Sequence, residues 1–149
     1  MGTKNNSNLF YTCSLIEYIG RMRKQKRCII LDLIGKETLE RIYDYADIFH
    51  CEPIEKVASE FVEECQIPEG EFDNVGDSRY LIPDYWTIGE VYERLIEDVS
   101  EDNTEAIIDS LIAVYNSWIS DAISNYNTDF YYQSREYICQ CYTEGKICA

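Results

Sequence analysis

The run Thr104–Tyr126, TEAIIDSLIAVYNSWISDAISNY, constrains the fold more than any other stretch of the chain. Ile107, Leu111, Val114, Trp118 and Ala122 recur three or four apart, and so do Ile108, Ile112, Tyr115, Ile119, Ile123 and Tyr126. Two adjacent series make a wide apolar sector, which suits a helix with neighbours on more than one side. Asp109, Asn116, Ser117, Ser120 and Asp121 interrupt the run too often for a membrane span. The pattern predicts one long central helix, capped at Asn103 or Thr104, with Glu105 in its first turn where the helix dipole favours acid.

Around it the periodicity predicts an all-α protein of six or seven helices. Leu9 to Met22 is the first, capped by Thr12 or Ser14, and the polar residues 1–8 before it are expected to be disordered. Residues 9–149 form a single domain on this reading. Cys28 to Ile34 fits a short buried strand by periodicity alone. Flanking helices and Gly35 as a stop favour a helix instead. Lys36–His50 follows, then a helix opened by Glu52 or Pro53 and running to Cys65. Residues 66–86 are irregular and long enough to suggest a purpose, with a possible short β segment at 78–82. Thr87–Val99 carries a capping box from Thr87 to Glu90. Ser134 caps a last helix through Tyr142, which Gly145 ends.

Charge is the strongest compositional fact. The net is −15. Residues 1–36 hold seven Lys/Arg against two acids, and residues 37–149 hold six against twenty-six. Between Glu60 and Asp109, sixteen acids face only Arg79 and Arg94. Such a surface repels nucleic acid and attracts basic proteins. Seven cysteines at irregular spacing, with no secretory signal at the N-terminus, point to free thiols and a cytoplasmic setting.

Catalytic and metal motifs are weak. His50 is the only histidine, so a His-based triad or multi-His metal site is excluded. It is expected at a helix C-terminus. A nucleophile couple with Cys51 is the sharper alternative. Cys139 and Cys141, with Cys148, invite a zinc reading, but two apart on a helix the first two project away from each other, so a site there needs a non-helical tail and a fourth ligand from elsewhere. The acids Glu69, Glu71, Asp73, Asp77 and Asp84 lack the spacing of a twelve-residue calcium loop. No glycine-rich phosphate loop or nucleophile elbow is present. No cofactor and no metal are expected. The basic stretch Arg21, Arg23, Lys24, Lys26 and Arg27 reads either as a solvated junction paired with acids of its own domain or as a nucleic-acid contact.

The thirteen tyrosines are numerous for this length, and several fall outside helices. Phe72, Tyr80, Tyr85 and Trp86 lie in the long loop, and Phe130, Tyr131 and Tyr132 precede the last helix. Tyr and Trp beside acids suit an interface, since they bury a large area at low entropic cost. They equally suit plugging the ends of a bundle. On the binding reading the partner-contacting residues are Glu69, Glu71, Phe72, Asp73, Asp77, Tyr80, Asp84, Tyr85, Trp86, Glu90, Glu93, Glu97 and Asp98.

The strings YTCSLIEYIGR (Tyr11–Arg21), ERIYDYADIFHCEPIEKV (Glu40–Val57), PDYWTIGEVYERLI (Pro83–Ile96) and VYNSWISDAISNYN (Val114–Asn127) resemble a family of small acidic bacterial proteins. These come from gut Firmicutes, often on mobile elements, and have no assigned activity. The resemblance implies a bacterial cytoplasmic protein in a mobile-element setting and carries over no functional residue. Together these readings lead to a non-enzymatic acidic protein that neutralises a basic partner such as a nuclease, CRISPR effector or toxin. A cysteine and carboxylate metalloprotein or enzyme, and a nucleic-acid-associated regulator using residues 21–27, are the alternatives.

Overall fold

The chain is all-helical in a computed structural model that describes residues 7–100 and 106–148. Among the described residues there are nine α-helices and one 3-10 turn, and no strand. No helix among them is long and apolar enough to cross a membrane.

Helix α1 spans Ser7–Arg23 and is buried almost all round: Leu9, Tyr11, Cys13, Leu15, Ile16 and Ile19 are joined in the interior by Thr12, Ser14, Glu17 and Gly20. It packs against α2 (Arg27–Ile34), α3 (Lys36–Asp44), α4 (Ala46–Phe49), α5 (Ile54–Glu64) and α6 (Tyr85–Ser100). Neither expected cap is one. Thr12 and Ser14 lie inside the helix, and the Thr12 hydroxyl donates to the Asn8 carbonyl at 2.7 Å, bonding back one turn. Ser7 and Asn8 are helical as well, against the expected disorder there; residues 1–6 lie outside the described residues.

The 104–126 run is not one helix. It divides into α7 (Ala106–Tyr115) and α8 (Trp118–Ser124). Ser117 makes the break. Its backbone is extended at φ −93°, ψ 170°, its hydroxyl donates to the Val114 carbonyl at 2.7 Å, and it accepts from the Ile119 amide at 3.3 Å. Asn116 assists by donating its side-chain amide to the Ile112 carbonyl at 2.9 Å. Short polar side chains that bond the local backbone offer an alternative to the helix ladder, and here they win. The apolar residues keep their role, since Ile107, Leu111, Val114, Tyr115, Ile119 and Ile123 are buried. The expected caps Asn103 and Thr104 lie outside the described residues, as does Glu105.

Cys28–Ile34 is helical, as α2, and Gly35 follows at φ 83°, a conformation that favours glycine. The predicted helix 36–50 breaks at Tyr45, giving α3 and α4. Pro53 immediately precedes α5. Helix α6 starts at Tyr85, two residues before the predicted start, because Asp84 is its cap: the carboxylate accepts from the Thr87 amide at 2.8 Å. Thr87 is therefore inside the helix and not at its cap. The possible β segment at 78–82 is not a strand. The Ser78 hydroxyl donates to the Tyr80 carbonyl at 3.1 Å, and the Arg79 amide goes to Asn127 Oδ1 at 2.8 Å, which leaves no ladder. A 3-10 turn, Phe130–Tyr132, leads to α9 (Arg135–Glu144), which Ser134 caps by accepting from the Tyr137 amide at 3.2 Å and which Gly145 closes in the left-handed region.

Candidate functional site

The basic stretch builds a buried polar cluster. Glu17 is fully buried on α1. Arg27, at the start of α2, meets it with two parallel bonds, Nε to Oε1 at 2.9 Å and Nη2 to Oε2 at 2.8 Å. Arg21, one turn on from Glu17, donates Nε to Oε2 at 2.8 Å and Nη2 to the Pro83 carbonyl at 2.7 Å. The Tyr126 hydroxyl donates to the same carboxylate. Burial alone would raise the Glu17 pKa; the adjacent guanidinium groups and the tyrosine hydroxyl overturn that and hold it at about 2. Gly20 leaves the space for Arg27, because a Cβ there would stand 2.4 Å from the arginine Cδ.

The same stretch pins the long loop. The Gly70 amide donates to the Arg23 carbonyl and the Phe72 amide to the Lys24 carbonyl, each at 2.8 Å. Arg23 Nε donates to the Ile67 carbonyl at 3.1 Å. Arg27 Nη2 donates to Asn74 Oδ1 at 3.2 Å, and the Asn74 side-chain amide passes on to the Ser124 carbonyl at 3.0 Å. Lys24 pairs with Glu69 and Lys26 with Asp121 at the surface. All five cations thus engage their own domain. The expectation of intramolecular pairing describes them, but the expectation of a solvated junction fails at Arg27, which is 1% exposed.

The thirteen residues expected to contact a partner fall into separate neighbourhoods. Tyr85 packs edge-on against Tyr18 at 5.0 Å, and Trp86 lies among Phe10, Tyr11 and His50, so both rings seal the bundle. Phe72 lies beside the Arg27 guanidinium at 5.9 Å. Asp73 is occupied locally, accepting from the Gly76 amide at 2.8 Å, and Asp84 is the helix cap. Glu69 and Glu71 are exposed near the start of the loop. Glu97 and Asp98 hold Arg135 at 2.9 and 2.8 Å. Asp77, Tyr80 and Glu90 are exposed.

These last residues border one strip of linked depressions. Lys26, Phe72, Asp77, Asp121, Tyr126 and Asn127 line its first part. Tyr80, Asp129, Tyr131 and Tyr132 line the next. Glu90, Arg94 and Arg135 continue it past Tyr131 and Tyr132. Asp121, Tyr126, Asn127 and Asp129 are the residues that sequence reasoning left out. The signal available was the aromatic cluster Phe130–Tyr132 directly after Asp129. What the sequence did not carry is the clamp that brings it to the loop: Asn127 accepts from the Arg79 amide and donates to the Asp77 carbonyl at 3.4 Å.

The thiol and metal candidates are placed plainly. The Cys51 thiol donates to the Asp47 carbonyl at 3.4 Å, while the His50 ring packs at a tilt against Tyr11 at 5.0 Å, so the two do not form a couple. Cys141 is buried on α9, and its sulfur accepts from the Cys148 amide at 3.3 Å. Among the described residues no three His, Cys, Asp or Glu side chains converge as metal ligands.

Glu93 sits four residues before Glu97 on α6, half-buried. Burial first, then the Glu97 carboxyl and Glu90, push its pKa up to about 8. The folded protein therefore keeps a proton that the unfolded chain releases, and stability falls as pH rises from about 4.5 to about 8. Glu93→Gln is expected to flatten this limb and to stabilise by about 1–2 kcal/mol at pH 8.5 after solvent screening. Thermal unfolding of both proteins from pH 5 to 9 checks it, and parallel pH profiles would exclude it.

A scan of protein-family models and searches of curated proteins and of solved structures found no match to this chain.

Proposed function

We propose that this protein binds a basic protein partner and works by occlusion, its carboxylates taking the place of phosphates in the partner's basic site. The observation that carries the reading is the strip on which Asp77, Asp121, Asp129 and Glu90 alternate with Tyr80, Tyr126, Tyr131 and Tyr132. Lys26 and Arg94 also border the strip and pair with Asp121 at 3.6 Å and Glu90 at 3.3 Å, so Asp77 and Asp129 are the acids that steer a cationic protein into contact. The exposed Tyr80 and Tyr132 supply the area that holds it. A protein of net charge −15 adds a long-range field of the same sense. In the mobile-element setting that the resemblance implies, fitting targets are a defence nuclease, a CRISPR effector or a cognate toxin, met in the cytoplasm. The mechanism is non-enzymatic and needs no cofactor. The finer surface differs from the sequence-based one: Tyr85 and Trp86 leave it, and Asp121, Asp129, Tyr131 and Tyr132 enter it.

Co-purification of the tagged protein from its host lysate at low and at high salt tests the reading. A stoichiometric basic partner, released by salt, is expected. The triple change Asp77→Asn, Asp121→Asn, Asp129→Asn is expected to slow association with that partner by about tenfold or more at low salt. Unchanged association kinetics in the folded triple variant would end the proposal for this surface.

A further inference from the structure

Tyr80, Tyr126, Tyr131, Tyr132 and Asp129 line one open depression of about 430 Å³. Among the described residues no lysine or arginine lines it. Tyr126 is its floor, buried and set edge-to-face against Tyr131 at 6.1 Å, with its hydroxyl engaged by Glu17 and Arg21. Tyr80 and Tyr132 stand 65% and 82% exposed at its sides. The backbone under them is fixed: Asn127 ties the 77–79 segment to this one, and the Tyr132 amide donates to the Asp129 carbonyl at 3.0 Å.

Aromatic faces attract cations through the ring quadrupole, and several rings around one space act together. Guanidinium suits such a space better than ammonium, because it is planar, weakly hydrated and able to stack. The protein already places its own guanidinium groups against rings, Arg21 at Tyr126 (5.2 Å) and Arg41 at Phe61 (5.5 Å). The buried cluster of Glu17, Arg21 and Arg27 holds one excess positive charge next to Tyr126. The rings alone would therefore be opposed, and the Asp129 carboxylate supplies the attraction that offsets it. We propose that this depression receives an arginine side chain presented by the partner protein, an inference that rests on the binding reading above and names its anchor.

The probe is a capped Gly-Arg-Gly peptide, titrated into the ¹⁵N-labelled protein and followed by amide chemical shifts, with the citrulline peptide as the neutral isostere. Saturable shifts centred on Asn127–Tyr132 are expected at millimolar peptide, with the citrulline peptide weaker by about fivefold or more. Asp129→Asn and Tyr132→Ala are each expected to weaken arginine binding by about three- to tenfold. Both positions are exposed, and unchanged amide spectra elsewhere verify the fold. Equal binding of the citrulline peptide, shifts centred away from this depression, or no shift at 20-fold the expected concentration (about 20 mM) would overturn the inference. No natural partner is needed, so the two claims separate. A silent peptide with a salt-released basic partner sinks only the arginine anchor. A bound peptide with no basic partner sinks only the occlusion reading.

Discussion

Glu17→Gln is expected to destabilise the protein by about 3–5 kcal/mol, since it leaves a buried guanidinium without its counter-charge. For a chain of this length that corresponds to a fall of about 10 °C or more in Tm. The geometry fixes the ranking of related variants. In Arg27→Met, Glu17 still holds Arg21 at 2.8 Å, so a charge partner survives and the loss is smaller. In Glu17→Gln, Arg27 retains only neutral acceptors, the Gln25 carbonyl at 2.8 Å and Asn74 at 3.2 Å. The pH dependence has a definite sign. The folded pKa of about 2 lies below the ordinary carboxylate value. The carboxylate therefore contributes stability above about pH 4.5 that is lost as pH falls toward 2. Glu17→Gln removes that acid limb. Urea unfolding of the wild type and both variants, at pH 7 and pH 3.5, measures all of this. A loss under 1 kcal/mol for Glu17→Gln at pH 7, or the reverse ranking, would contradict the arrangement.

Gly89→Ala carries the second large effect, and its direction is not the one helix propensity suggests. In an open helix the change would stabilise by about 1 kcal/mol. Here α6 crosses α1 at this point, and an added Cβ would stand 2.0 Å from Ser14 Oγ and 2.9 Å from Ser14 Cα. The hydroxyl can rotate, but the Cα can move only if the two helices part. Overpacking of this kind costs about 1–3 kcal/mol and sometimes more. Ser14 Oγ has no hydrogen-bond partner among the described residues, so removing it forfeits no bond there. The swap Ser14→Gly with Gly89→Ala removes the contacts to Ser14 Oγ and Cβ but keeps the one to Cα at 2.9 Å and puts a glycine inside α1, so it is expected to regain only part of the loss. Urea midpoints of the two single variants and the swap decide it. A Gly89→Ala protein as stable as wild type would mean that the crossing is looser than its geometry states.

The parts of the fold legible in the sequence are those where one local signal met no competitor. Pro53 before Ile54, Ser134 before Arg135 and Gly145 after Glu144 mark helix ends by chemistry that acts within a few residues, and the structure places ends there. The parts that were not legible depend on long-range packing. Helix α1 hides its importance because Thr12, Ser14, Glu17 and Gly20, residues of a solvated face in most helices, are all buried in it. Glu17 in particular reads as a surface charge until Arg27 and Tyr126 arrive from elsewhere in the chain. The division of 104–126 was visible as Asn116-Ser117, but the apolar period continues through the break and masks it. Tyr85 and Trp86 are half-buried against the bundle for a similar reason. Their composition suits an interface and a bundle end equally, and only the positions of Tyr18, Phe10 and His50 choose between them. The acidic strip was half legible: Asp77, Tyr80 and Glu90 were named, but their neighbours from 121–132 join them only through the Asn127 clamp.

The Glu17–Tyr126 hydrogen bond spans 109 positions, whereas the Glu17–Arg27 pair spans ten. The two charged residues therefore come from one end of the chain and the hydroxyl that completes their bonds from a distant part of it. A fragment that ends before Tyr126 lacks that hydroxyl, so the buried pair in its finished form needs segments 109 positions apart to be folded together.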